Sequence, residues 1–411
     1  MEETALGQSV ELTEEDVRLI RGYLAVAANS GDQQQTVEDM FQLAEDYGAG
    51  RNGKQQNEQY AFYWYGQAAL QGHTDALDSL AHCLSKGSGT TQDDTAAVCW
   101  FTKMAKWGSA RSQNNLGWAY ANGVGVPQDD EQAAYWYRQA AEQGRAVAQE
   151  NLGQCYGTGW GVPQDEVQAA YWYSRAAEQG RVGAQFIIGA FYELGRGVTK
   201  DDEKAAHWYR QAAEQGHAEA QSGLGLCFEE GRGVLRDETQ AAYWYRQAAE
   251  QGRAVAQFNL GLCYEFGKGV NRDLDEAVKW YQLAAEQGDA ASQAQLGLFY
   301  ESGRSVAQDY ATAVRWYELA AKQGDMHGQH NLGLCYEQAK GVDQDYAQAL
   351  DWYTQAAEQG HTEAKNNLGR FYFHGFGVSV DKEKARKLWE EAAAAGDAAA
   401  EANLRVLREE R

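Results

Sequence analysis

The chain reads as an all-α protein: a row of helical hairpins, one every 36 residues, each leaning on the next. Three series of residues predict this. Tryptophans stand at Trp64, Trp100, Trp136, Trp172, Trp208, Trp244, Trp280, Trp316 and Trp352, always 36 residues apart. Glycines keep the same interval from Gly72 to Gly396, and so does an apolar series from Leu80 through Ile188 to Leu404. No insertion disturbs the period, as stacking of like units requires. Nine full units occupy residues 73–396 and a degenerate unit covers 36–72. A segment with a capping helix precedes them at 1–35, and a capping helix follows at 397–411.

Each unit is expected to hold two helices. In residues 145–180 the first segment, AVAQENLGQCYGTG, puts Ala148, Leu152 and Cys155/Tyr156 on one stripe at helical spacing. Gly159 and Gly161 then supply the positive φ of a helix-ending turn. The second helix begins at Asp165, whose carboxylate can cap free backbone N–H groups, with Gln168 three residues on to complete a capping box. Asp129, Asp201, Asp237, Asp273, Asp309, Asp345 and Asp381 hold the same place, so they read as caps rather than catalytic acids. Ala169, Trp172 and Ala176 are predicted to form the buried stripe of that helix, and Gly180 ends it. The small Gly153, Ala169 and Ala176 leave room for close approach beside Trp172 and Tyr173.

Composition narrows the function classes. The hydrophobic share is 44%, enough for burial, and only two prolines occur. A formal charge of −23 repels polyphosphate, which argues against nucleic-acid binding. There is no apolar run long enough for membrane insertion, and the start, MEETALGQSVELTEEDV, lacks the basic flank and apolar stretch of a secretory leader; a cytoplasmic protein is expected.

The string LGLCYEFGKGVNRDLDEAVKWYQLAAEQG at Leu260–Gly288 resembles the Sel-1-like repeat, a relative of the tetratricopeptide repeat, and every unit carries most of it. The resemblance implies a right-handed α-solenoid, a superhelix of antiparallel helix pairs, and a role as adaptor or scaffold in protein complexes. Departures fall near the C-terminal end: Leu388 and Trp389 stand where Trp and Tyr are usual, and Arg405 replaces the packing glycine, as suits a terminal unit with no neighbour to cover it. Some members staple each repeat with a disulfide. Here Cys83, Cys155, Cys227, Cys263 and Cys335 share one position per unit and Cys99 stands apart, so the within-unit pair is missing and free thiols are expected.

Recognition must lie where the units differ. On the first helices, positions facing away from the Leu/Ala stripe are expected to line a concave surface. They hold Phe186 and Phe258; Trp118, Leu226, Leu262, Leu298 and Leu334; and an acidic series, Glu193, Glu229, Glu265, Glu301 and Glu337. Such a groove suits a protein or peptide, basic and with apolar anchors. A second reading stays open, in which Arg196, Arg232, Lys268, Arg304 and Lys340, three residues after each Glu, pair with that series along the stack, and the leucines belong to the core.

The expected function is therefore a non-catalytic scaffold without cofactor or metal. A dedicated one-partner binder, such as a toxin-neutralising immunity protein or secretion chaperone, is the alternative, and a penicillin-binding hydrolase a more distant one. Ser379-Val380-Asp381-Lys382 fits S-x-x-K but lacks the accompanying S-D-N and K-T-G strings. His327 and His330, with Glu363 of the next unit, offer two or three metal ligands; without second-shell support they read as surface histidines. Oligomeric state is open.

Overall fold

The computed structural model describes residues 12–24 and 36–409, and among these it contains 22 α-helices and no strand. Two compact units divide the chain, Met1–Asp201 and Asp202–Arg411. Both are built from the same hairpin, which residues 146–178 exemplify.

The first helix, Ala146–Thr158, stops at Gly159, whose φ of 81° lets its N–H close back onto the Cys155 carbonyl. Two residues later Gly161 runs so close to the Asp130 carbonyl of the preceding hairpin that a Cβ would collide with it. The second helix, Glu166–Glu178, starts under the Asp165 carboxylate, which accepts from the Val167 and Gln168 N–H groups at 2.9 and 3.0 Å. Asp129, Asp237, Asp273, Asp309, Asp345 and Asp381 cap their helices likewise. The expected capping box at Gln168 is not made. The Asp165 N–H that it needs already donates to the Tyr156 carbonyl at 2.9 Å, tying the second helix to the end of the first.

The buried stripe differs from expectation by one residue. Tyr173 is buried with Ala169, Ala170, Ala176 and Ala177, whereas Trp172 is half-buried. Tyr173 lies four residues after Ala169 and three before Ala176, so it shares their face, and Trp172 is turned about 100° away. That rotation aims the indole at the preceding hairpin, where it packs on the cluster of Ala141, Leu152 and Cys155; Trp280 and Trp352 do the same in the other unit. The tyrosine ring in turn lies over the first-helix glycine: a Cβ at Gly153 would sit 3.1 Å from Tyr173, and at Gly225 2.7 Å from Tyr245. At the last hairpin Trp389 takes the tyrosine slot and satisfies its indole N–H on the Asn366 carbonyl at 3.0 Å.

A glutamine ladder explains the recurring AAEQG. Gln149 is buried and donates to the Ala141 carbonyl at 3.1 Å, a further donor beside the Gly144 N–H at 2.9 Å at the end of the preceding helix. Its own carbonyl accepts from Gln179 at 2.7 Å, at the end of the second helix of its own hairpin. Gln257 repeats both bonds with Ala249 and Gln287, and Gln293 with Ala285 and Gln323. Each rung joins two hairpins without a charge.

The ends are covered differently. Helix Glu14–Leu24 buries Ile20 and Leu24 on the first unit, and its Tyr23 hydroxyl donates to Asp93 at 3.2 Å. Helix Ala398–Glu409 buries Ala400 and Leu407, while Arg405 faces solvent. The proposed N-terminal segment 1–35 falls outside the described residues except for 12–24. All six cysteines are free, and burial pushes the Cys155 thiol up to about 11 and those of Cys83, Cys263 and Cys335 up to about 12.

Candidate interaction surface on the first helices

In the unit Asp202–Arg411 the acidic series is built into the stack. Glu265, only 6% exposed at its side chain, accepts the Tyr281 hydroxyl at 2.8 Å and the Arg304 guanidinium at 3.0 Å. Glu229 takes Tyr245 and Lys268, and Glu301 takes Tyr317 and Lys340. The cation stands 39 residues after its glutamate, one hairpin on, and not three residues after it. Where Phe376 occupies that cation position, Arg370 on the first helix reaches Glu337 instead, at 2.9 Å, beside the Tyr353 hydroxyl. Burial and the adjoining carboxylate push all four tyrosine hydroxyls well above their ordinary pKa, so they remain donors. Glu193 lies half-buried at the end of helix Val182–Leu194.

The apolar candidates divide. Trp118 is 46% exposed and Leu298 38%. Phe258 and Leu262 are half-buried against the cluster around Tyr281, Leu334 against that around Tyr353, and Phe186 and Leu226 are also half-buried.

Two adjoining clefts flank Trp118 in the unit Met1–Asp201. The larger, about 550 Å³, is lined by Trp118, Trp160, Tyr137, Asp130, Asn151 and Gln154 among others. The smaller, about 300 Å³, has Val98, Phe101, Val124 and Val147 in its wall, with Lys86 lying 5.8 Å from the Trp118 ring. Trp118 and Asn151 belong to both. The glutamate position is held here by Ser85, Ala121 and Gly157, so Tyr137 has no carboxylate to donate to. Trp160, Tyr137 and Asn151 escaped the sequence reading, although the breaks in the Glu column at Ala121 and in the cation column at Trp160 mark the place.

A third groove, about 430 Å³, joins Phe258 and Leu298 to His327, His330, His361 and Glu363. Here the structure gathers the two singled-out histidines and adds His361, whose ring stacks on His330 at 4.5 Å. His361 Nδ1 accepts from the Ala364 N–H as a helix cap, which leaves Nε2 to donate to His327 Nδ1 at 3.2 Å. Burial, then His361, lowers the His330 pKa to about 4. These nitrogens are used by one another and by the backbone, and among the described residues no group of three His, Cys, Asp or Glu is placed to hold a metal. Ser379 is exposed in its connector, and the Lys382 ammonium lies 5.0 Å from the Phe373 ring. No helix among the described residues is long and apolar enough to cross a membrane.

A family model described as Sel1 repeat matches residues 37–73, 74–109, 110–144, 146–180, 182–217, 218–252, 254–289, 290–325, 327–361 and 362–397. Among solved structures, a protective antigen present in uropathogenic Escherichia coli strains and displaying an SLR fold is 32% identical. It aligns with a TM-score of 0.72 over 96% of this chain and 91% of that one. A Sel1 repeat protein from Oxalobacter formigenes is also 32% identical, with a TM-score of 0.57 over 84% of this chain and 99% of that one. No curated protein matches the chain.

Proposed function

Because the chain belongs to the Sel1 repeat family, whose members are generally protein-interaction scaffolds, we propose that it binds a protein or peptide along the face of its first helices, without catalysis. One observation supports this most: large apolar side chains, Trp118 and Leu298, stand exposed on that face beside clefts of about 550 and 430 Å³. Phe186, Leu226, Phe258, Leu262 and Leu334 extend the apolar contact. Glu193, Glu229, Glu265, Glu301 and Glu337 border it, four of them paired with a cation of the stack, and it is the formal charge of −23 that favours a basic partner. Free, mostly buried thiols suit a reducing compartment, and we place the protein in the cytoplasm.

Charge reversal along the Glu series would be a poor test, since it breaks the internal pairs. A photo-crosslinking residue at position 118 or 298 should instead yield adducts with the native partner in cells, identified by mass spectrometry. The same residue at position 171 or 243, exposed on the second helices, serves as the comparison. Adducts from the second-helix positions alone would overturn the assignment of the binding face.

A further inference from the structure

We propose that the two clefts flanking Trp118 hold one extended peptide segment of a partner protein, with an Arg or Lys side chain in the larger cleft and an apolar side chain in the smaller. The proposal rests on the scaffold reading above and names its partner chemistry.

The larger cleft exists because the chain omits its own ion pair there. Ala121 and Trp160 are 39 residues apart, the separation of Glu229 from Lys268, and they occupy the acid and base positions of that pair. Removing the carboxylate strands a donor. Tyr137 is only 5% exposed, its hydroxyl makes no hydrogen bond to any described residue, and it lines the cleft. The hydroxyl opens onto the cleft with no protein acceptor, so it can donate to a guest carbonyl there.

Charge selects the guest's side chain. The larger cleft is lined by the Asp130 carboxylate and by no Lys, Arg or His, in a chain of formal charge −23. Its two indoles, Trp118 and Trp160, are 46% and 55% exposed and present π faces that attract a cation. Elsewhere the chain puts its own cations on such faces: Lys86 over Trp118 from the smaller cleft, and Arg304 over Phe299 at 4.8 Å. Lys86 also repels a second cation on its side, which sends the guest's charge to the Asp130 side.

Backbone recognition comes from the amides. Asn151 spends one N–H on Asn114 at 3.3 Å, which leaves a second N–H and its carbonyl for a peptide group. An extended segment exposes its peptide groups for this purpose, whereas a helix does not. Beyond Trp118, Val98, Phe101, Val124 and Val147 offer an apolar wall to the neighbouring side chain.

The test uses the full chain and a synthetic set of fluorescein-labelled octapeptides in which Leu or Phe stands one to three residues from Arg, Lys, Gln or Glu. Fluorescence anisotropy should show binding by Arg and Lys members and at least tenfold weaker binding by their Gln and Glu counterparts. Trp160→Ala should weaken the best peptide about tenfold and Trp160→Phe much less. Ala121→Glu combined with Trp160→Lys should rebuild the internal pair and abolish binding while circular dichroism and thermal unfolding stay native. Equal binding of Gln and Arg peptides, binding unaffected by the rebuilt pair, or no binding by any member would overturn the proposal. Crosslinked partner at position 298 with none at 118 would sink this cleft and leave the scaffold reading standing.

Discussion

In the unit Asp202–Arg411, Tyr245, Tyr281, Tyr317 and Tyr353 each donate to a glutamate that also holds a cation. In Met1–Asp201 that column reads Ser85, Ala121 and Gly157 before Glu193, and the space beside Tyr137 is open. Caps, glycine turns and glutamine rungs are common to both. Scaffold and surface are thus encoded separately: residues facing the neighbouring hairpin are repeated in both units, and one column on the first helix decides whether the face is closed by the chain itself or left for another molecule.

The largest expected contrast is in the ion pairs. Arg304→Met should leave Glu265 nearly buried without a cation, with Tyr281 and, at 3.5 Å, Gln295 as neutral donors, at a cost of about 2 to 3 kcal/mol. Arg196→Met in the other unit removes a pair with Glu166 in which both side chains are at least 40% exposed, and should cost less than about 1 kcal/mol. Urea unfolding with hydrogen exchange resolved by peptide measures both; equal costs would erase the distinction between a closed and an open face.

Acid should separate the units next. The His330 pKa lies at about 4, below its ordinary 6.5, because burial and then His361 disfavour the charged ring. The stability that the neutral ring contributes is complete above pH 6.5 and disappears as pH falls toward 4, a loss of about 2 to 3 kcal/mol. At the equivalent positions the first unit has Asp78, Asn114, Glu150 and Phe186, of which Asn114 carries no ionisable group and bonds Asn151 as His330 bonds Asn367. His330→Asn should therefore flatten the acid limb of stability between pH 6.5 and 4. An unchanged limb would assign acid sensitivity to other groups.

These contrasts show what could be read without coordinates. Hairpin boundaries and caps were legible because each is a local event: Asp165 acts on N–H groups two and three residues away, and Gly159 on a carbonyl four residues back. The Trp172 and Tyr173 exchange was not, because apolar neighbours on a helix differ only in rotation, and both rings satisfy the pattern. The Glu series looked like a groove because its cation lies a hairpin away in space and 39 residues away in sequence, while another cation stands three residues on. The histidine cluster was half visible: His327 and His330 share a helix, but His361 enters from the next hairpin.

Glutamine rungs should be indifferent to the unit. Gln149→Ala and Gln257→Ala each remove one donor from a carbonyl, Ala141 or Ala249, that keeps its backbone N–H donor, and leave Gln179 or Gln287 with only its longer bond to the Arg175 or Leu283 carbonyl. About 1 to 2 kcal/mol is expected from either, matched within about 0.5 kcal/mol. A difference of more than about 1 kcal/mol in urea unfolding would mean that the scaffold itself varies along the chain.

The smallest effect discriminates most finely. Tyr281→Phe deletes a hydroxyl that bonds a carboxylate and should cost about 1.5 kcal/mol, since Glu265 loses a donor inside the stack. Tyr137→Phe deletes a hydroxyl without a protein acceptor, so stability should change by less than about 0.5 kcal/mol. Binding of an Arg-containing peptide should nonetheless fall severalfold, because the lost donor is the one that faces the guest. A substitution silent in unfolding but felt in binding is what an open position in a self-paired series implies. A Tyr137→Phe variant as destabilised as Tyr281→Phe would show that the first unit satisfies its tyrosine internally after all.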